Sequence, residues 1–281
     1  MNALGVKNLT KIYPTFTLDN VSFSVREGRI VGLIGRNGAG KSTTIKSVLK
    51  LISSSGEVKI FGTDVNCDEK NAKKLVGYVG GGFRYYRLKT LDKIKNAYKN
   101  FFPEWNEDAY RAYAVKFNLD GNKLVKDLSE GMKVKFSMAL ALSHGAKLLI
   151  MDEPTSGLDP LSREEFCDTV LDLVKNEGVS VLFSTHVTSD LMSIADDIVY
   201  IADGKILADC PLNDLLSKYK LVRFADVSKA KNYPVIGLKT VKDGCEGLIS
   251  SDKVTDELSC EQPTIDRIMI HLEKDKEKRN A

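Results

Sequence analysis

Gly35-Arg36-Asn37-Gly38-Ala39-Gly40-Lys41-Ser42 is the stretch that most restricts how this chain can fold. It ends a short apolar run, Arg29-Ile-Val-Gly-Leu-Ile34, and opens a run with helical character, Thr43-Thr-Ile-Lys-Ser-Val-Leu-Lys50. That order suits a buried strand that turns sharply into a helix. The spacing fits G-x-x-x-x-G-K-[ST], a loop in which glycines let successive backbone N–H groups point at phosphate oxygens. The helix N-terminus adds a partial positive charge. On this reading Gly35, Asn37, Gly38, Ala39 and Gly40 cradle a nucleoside triphosphate with their backbone. Lys41 then bridges its β- and γ-phosphates, Ser42 ligates Mg²⁺ and Thr43 reaches the α-phosphate.

The rest of the composition narrows the partners. A chain of 281 residues with 43% apolar content is long enough for one large domain and a small one. Lys and Arg number 41 against 38 Asp and Glu, a net charge of +3, so no nucleic-acid partner is expected. The five cysteines, at 67, 167, 210, 245 and 260, form no C-x-x-C pair, and an odd count suits reduced thiols in a cytosol. Three histidines without ligand-like spacing argue against a zinc site. No signal peptide is expected ahead of the first strand. Apolar runs such as Leu148-Leu-Ile-Met151 are far short of the roughly 18 to 20 residues a membrane span needs, so any membrane role must come through another chain.

Along the chain, residues 4–34 read as short antiparallel strands feeding a buried one, and residues 58–61 as a further strand. Helical spacing dominates residues 88–142, with a helix over 91–102 capped by Thr90, a second over 107–117 and a third over 134–142. Strands and helices then alternate through residues 147–202, which implies a parallel sheet with covered faces. Asp203-Gly204-Lys205 is read as a hairpin turn. Past Tyr219 the chain turns polar, with weak strands, a last helix near 264–272 and a charged tail over 273–279 expected to fray.

Leu148-Leu-Ile-Met-Asp152-Glu153-Pro154 supplies the second half of the chemistry. A buried strand delivers Asp152 at its carboxyl end, where it can hold Mg²⁺ directly or through water. Glu153 beside it can orient and deprotonate an attacking water. Between loop and acid pair lies Leu128-Ser129-Glu130-Gly131-Met132, where Ser129 reads as a helix N-cap.

The order of these motifs resembles the ATP-binding cassette (ABC) family: phosphate loop, Leu-Ser-x-Gly, Asp152-Glu153, then Ser156-Gly-Leu-Asp159, then Ser184-Thr-His186. The resemblance covers roughly residues 1–218. It implies a phosphate-loop α/β core with a mixed, mainly parallel sheet, an antiparallel β subdomain and a helical insert at about 83–142. A small carboxyl-terminal α+β module would occupy 219–281. It also implies roles. Tyr13 matches the aromatic that stacks on adenine, although Tyr13-Pro14 also reads as a packed strand end. Ser129 and Gly131 match the positions that touch the γ-phosphate from an opposite subunit. Asp159 matches the loop linking the two sites, and His186 the switch histidine that holds the γ-phosphate and positions water.

Three departures stand out. Glu130 replaces the family's usual first signature glycine, and Met132 its glutamine. Gly81, within Gly80-Gly81-Gly82, falls where the family usually has Gln or Glu, so either another group takes that task or hydrolysis is slow. Arg36 stands in the loop where Pro is common, reaching phosphate or solvent. Phe102-Pro-Glu-Trp-Asn106 resembles the insert of bacterial exporter ATPases of the bacitracin-resistance and multidrug type. Phe101, Phe102 and Trp105 are expected in the core of that insert, and Arg84-Tyr85-Tyr86-Arg87 as a docking patch or a solvated loop.

The resemblance implies an ATP-hydrolysing motor subunit at the inner face of a cell membrane, with ATP and Mg²⁺, separate transmembrane permease subunits, and a homodimer or heterodimer of ATPases. The alternative is a soluble or regulatory ABC ATPase with slow hydrolysis, not coupled to transport.

Overall fold

Two strands with alternating buried and exposed positions open the chain in the computed structural model, which describes residues 1–81, 86–255 and 258–280. They are β1 (Asn2–Tyr13) and β2 (Phe16–Arg26), paired antiparallel. β3 (Ile30–Ile34) follows, buried at every position, and the glycine loop turns from it into α1 (Lys41–Val48). β4 (Ser55–Ile60) pairs antiparallel with β1, and β5 (Thr63–Asp64) with β4, giving a four-stranded sheet in the order β2-β1-β4-β5. α2 (Glu69–Lys74) was not expected from the hydrophobic pattern. It starts at Asp68, whose carboxylate accepts from the Asn71 backbone N–H at 3.1 Å and from the Asn71 side chain at 2.6 Å.

β6 (Val76–Gly80) leads to the helical insert, made of α3 (Leu91–Tyr98), α4 (Glu107–Lys116) and α5 (Glu130–Ser143). Each helix begins at a side chain that caps it. Thr90 accepts from Lys93 N, Asn106 from Ala109 N and Ser129 from Met132 N, at 3.4, 2.9 and 3.2 Å. The helix expected over 91–102 stops at Tyr98, and Lys99–Phe101 tighten into a 3₁₀ turn. Phe102 precedes Pro103, and the proline ring drives it to an extended φ of −125°. α5 starts four residues before the expected 134, because Ser129 caps it there.

The aromatic reading of the insert needs correction at one position. Phe101 is 79% exposed, while Phe102 and Trp105 are half-buried. The apolar packing goes to His144 instead, with Phe102 stacked 3.9 Å from its ring and Tyr98 donating to or accepting from its Nδ1 at 3.0 Å. Burial lowers the His144 pKa to about 4.

The remaining elements alternate: β7 (Leu148–Asp152), α6 (Pro160–Glu177), β8 (Ser180–Thr185), α7 (Thr188–Ile194), β9 (Asp197–Ala202) and β10 (Lys205–Pro211). The six-stranded sheet has the order β10-β9-β3-β8-β7-β6, and β9, β3, β8, β7 and β6 run parallel. β10 returns through the expected Asp203-Gly204 turn. α1 lies in the core between the two sheets: Ile45 and Val48 share a cluster with Leu4 and Leu18 of the antiparallel sheet and with Leu33 and Ile150 of the parallel one. Parallel strands covered on both faces read as continuous apolar runs, which is why β3, β7, β8 and β9 stand out in the sequence.

The chain divides into two compact units, Met1–Asp209 and Cys210–Ala281. The second contains α8 (Leu212–Ser217), β11 (Tyr219–Phe224), α9 (Val227–Ala230), β12 (Ile236–Val241), β13 (Gly244–Ser250), β14 (Cys260–Glu261) and α10 (Ile265–Asn280). Its sheet has the order β12-β13-β11-β14, and α10 packs on β12 and β13. Buried Glu246 is ion-paired with Arg267, and buried His271 meets the Gly237 carbonyl through Nδ1 at 2.7 Å. The tail over 273–279 continues α10 instead of fraying at Leu272.

Candidate active site

The loop after β3 is held open by its own backbone. Gly38 and Gly40 take φ of +83° and +116°, in the range that disfavours side chains. Ala39 N donates to Arg36 O at 3.1 Å, and Gly204 N to Ala39 O at 2.9 Å, which ties the loop to the β9–β10 turn. Asn37 and Gly38 are exposed, and Gly35, Ala39 and Gly40 buried. No side chain caps the N-terminus of α1, since Gly40 occupies that position. The first-turn N–H groups, Lys41 through Thr43, therefore face the loop as donors for an anion. Lys41 is 6% exposed, and its ammonium donates to Gly35 O at 2.7 Å and Arg36 O at 3.3 Å.

β7 and β8 bring the other groups to the same sheet end, where parallel sheets place their ligands. Asp152 ends β7, and Ser42 Oγ lies 3.4 Å from its Oδ1. Burial raises the Asp152 pKa, opposed by the Ser42 hydrogen bond, so a nearby cation would favour its charged form. A hydroxyl and a carboxylate oxygen side by side form a hard-oxygen set that fits Mg²⁺, with phosphate and water supplying the remaining oxygens. Glu153 leaves the strand at φ +52°, an unusual conformation for a residue with a side chain. Its Oε1 lies 3.5 Å from Lys41 Nζ, and its Oε2 lies 2.7 Å from His186 Nδ1. A carboxylate only accepts, so Nδ1 is the donor in that contact. His186 follows β8 and is positioned by a turn in which Val187 N donates to Thr185 Oγ1 at 2.9 Å.

The structure thus joins Gly35, Lys41, Ser42, Asp152, Glu153 and His186 through contacts of 2.7 to 3.5 Å. Ser129 and Gly131 lie elsewhere. They line a cavity of about 330 Å³ with Lys116, Lys135, Ser162 and Glu165, and no residue of the first group lines it. Leu158 Cδ2 stands 3.7 Å from where a Cβ on Gly131 would sit. Asp159 caps α6, accepting from Ser162 N at 3.0 Å and Ser162 Oγ at 2.6 Å, and these hydrogen bonds hold its carboxyl below the usual range. Tyr13, at the end of β1, is 37% exposed with the Lys11 ammonium 5.2 Å over its ring. Arg36 is exposed. Of the docking stretch 84–87, residues 84 and 85, like Gly82, lie outside the described residues, and Tyr86 is exposed.

Sequence reasoning missed three neighbours. Ser184 O accepts from Glu153 N at 2.9 Å, and Gly81 N donates to Asp152 O at 2.8 Å. Phe16, the hairpin partner of Tyr13, places Cζ 3.1 Å from where a Cβ on Gly40 would stand. All three are contacts between residues far apart in sequence, which no local motif reports.

The family model for the ABC transporter matches residues 18–156. The bacitracin transport ATP-binding protein BcrA of Bacillus licheniformis is 34% identical over 234 residues, 79% of this chain and 75% of its own length. The chain belongs to the ABC transporter family. As an ATP-binding subunit of the ABC type, it binds and hydrolyses ATP. The lantibiotic transport ATP-binding protein SrtF of Streptococcus pyogenes is 33% identical, covering 73% of this chain and 90% of that one. A solved ATP-binding subunit of an ABC transporter superposes with a TM-score of 0.68 at 28% identity, over 76% of this chain and 91% of its own. No helix among the described residues of this ABC subunit is long and apolar enough to cross a membrane.

Proposed function

We propose that this subunit is the motor of an exporter, and that two ATPase subunits close head to tail over two ATP molecules. One observation carries the reading: Lys41, Ser42, Asp152, Glu153 and His186 converge, whereas Ser129 and Gly131 line a separate cavity. A site built that way is complete only when the capped end of α5 comes from another subunit, either a second copy or a related ATPase.

In this scheme the backbone of Gly35, Asn37, Gly38, Ala39 and Gly40 holds the phosphates, Lys41 neutralises the β- and γ-oxygens, Thr43 reaches the α-phosphate, and Tyr13 stacks on adenine. Ser42 and Asp152 hold Mg²⁺, which when bound neutralises charge building on the β- and γ-oxygens. Glu153 accepts the proton of the attacking water. His186, fixed by its Nδ1 contact with Glu153, holds the γ-phosphate. Ser129 and Gly131 of the opposite subunit present the N-terminus of α5 to that phosphate, and Asp159 links the two sites. ATP favours the closed pair through contacts that hydrolysis removes, so the pair opens again.

Motion would pass to separate permease subunits at the cytoplasmic face of the membrane. A groove of about 450 Å³ fits such a partner: Leu51, Tyr78, Phe101 and Phe102 supply apolar surface, and Lys70 and Lys74 stand at its edge. That lining suits an amphipathic segment with acidic residues. Relatives that serve transport of bacitracin and of lantibiotics support a role in moving a substrate across a membrane. Glu153→Gln tests the scheme: with ATP it should elute as a dimer in gel filtration and hydrolyse almost none. Elution as a monomer at saturating ATP would overturn the head-to-tail reading.

A further inference from the structure

Gly81 stands where the family usually has Gln, and its surroundings explain why a side chain does not fit. Its N–H extends the β6–β7 ladder by one bond, to Asp152 O at 2.8 Å. The next carbonyl of that strand, Glu153 O, turns toward Gly81. A Cβ built on Gly81 would overlap that oxygen and stand 3.1 Å from its carbonyl carbon. The Glu153 carbonyl is also fixed from the other side, accepting from Ser156 N at 3.2 Å, while Glu153 N donates to Ser184 O at 2.9 Å. Glu153 is thus held at φ +52° with neighbours on three sides, and Gly81 Cα forms one of them. Displacing it would rotate the carboxylate away from Lys41 and His186.

Gly80 is bare for a different reason. Tyr78 lies on the same face of β6, two residues earlier, and folds its ring back over Gly80. A Cβ on Gly80 would meet Tyr78 Oη at 2.9 Å, Cε1 at 3.1 Å and Cζ at 3.2 Å. Gly80 is paired in register with Asp152, so the Tyr78 hydroxyl is carried to the Asp152 end of the sheet. Tyr78 also lines the groove with Leu51 and Phe102.

We propose that Gly81 is a positioning residue for Glu153, and that the Tyr78 hydroxyl, seated over Gly80, serves the Asp152 side of the site. The glutamine is then excluded by this site, not missing from it. The inference rests on the reading of Glu153 as the group that activates water.

The test uses the full chain, with steady-state ATPase kinetics and a separate titration of a fluorescent ATP analogue. Gly81→Ala and Gly81→Gln should each lower kcat at least tenfold while analogue affinity changes less than about threefold. Tyr78→Phe, which keeps the ring, should lower kcat severalfold with affinity unchanged. Gly81→Gln with equal or higher kcat overturns the proposal. So does loss of both binding and turnover in the Gly81 variants while Tyr78→Phe behaves as wild type, which would mean local collapse only. Glu153→Gln run alongside separates the two readings. If it hydrolyses as fast as wild type, the assignment of Glu153 fails. If it is inactive and Gly81→Gln is not, only the positioning claim fails.

Discussion

The two ends of the cassette that would meet nucleotide are built differently. Where β3, β7 and β8 end, groups from the glycine loop, the start of α1 and the residues closing β7 and following β7 and β8 are already bonded to one another: Lys41 to Gly35 O, Ser42 to Asp152, His186 to Glu153. At the start of α5, Ser129 satisfies only its own helix, and beside it lies a cavity of about 330 Å³. The first end carries the means to bind and activate, and the second carries a surface to offer. On the proposed head-to-tail reading, a site so divided would put the commitment to hydrolysis under the control of assembly.

Breaking the first end should have the largest effect. Glu153→Gln should cut turnover by about 10³-fold, the scale of a positioned general base, with ATP affinity retained. Phosphate release at saturating ATP measures it. Lys41→Ala removes a buried, charge-assisted donor worth about 2 kcal/mol, so affinity for the ATP analogue should fall on the order of 30-fold. Unchanged affinity would mean that the loop does not hold phosphate.

Ser129→Ala sharpens the contrast. It should leave nucleotide affinity of the monomer within about twofold and yet prevent ATP-dependent dimerisation in the Glu153→Gln background. Loss of the Ser129 cap costs about 1 kcal/mol of stability, a small drop in the unfolding midpoint. A fall in monomer affinity equal to that of Lys41→Ala would erase the distinction between the two ends.

The smallest effect at neutral pH lies in the helical insert that carries α5. His144 has a folded pKa of about 4 against an ordinary value of 6.5, so its neutral ring stabilises the fold above pH 6.5. That contribution, about 3 kcal/mol, is lost as pH falls from 6.5 through 4. Urea unfolding at pH 7 and pH 5 should differ less in His144→Phe than in wild type. Phe101→Ala, on the groove, should leave basal ATPase unchanged.

Much of the core was legible because fully covered parallel strands write themselves as unbroken apolar runs, and because Thr90 and Ser129 cap their helices by local chemistry. The glycine loop and Asp152-Glu153 were legible from spacing, whereas the convergence of His186 and the separateness of Ser129 came only through family resemblance. Contacts made at long range left no local mark. Nothing in Gly80-Gly81 announces the Glu153 carbonyl or the Tyr78 ring. Phe101 and Phe102 are adjacent and alike in sequence, yet one faces outward and the other stacks on His144. The charged tail was expected to fray because its composition is solvated, and it continues instead the helix whose apolar side, Ile265 and Ile268, is buried in the second unit.

One feature of α1 reaches beyond turnover. Its N-cap is a glycine with no side chain to tie off the first turn, so on the proposed reading a triphosphate would complete the helix. Whatever fastens to the native form alone raises its resistance to heat by mass action. The melting temperature of this protein should therefore rise with the concentration of its fuel.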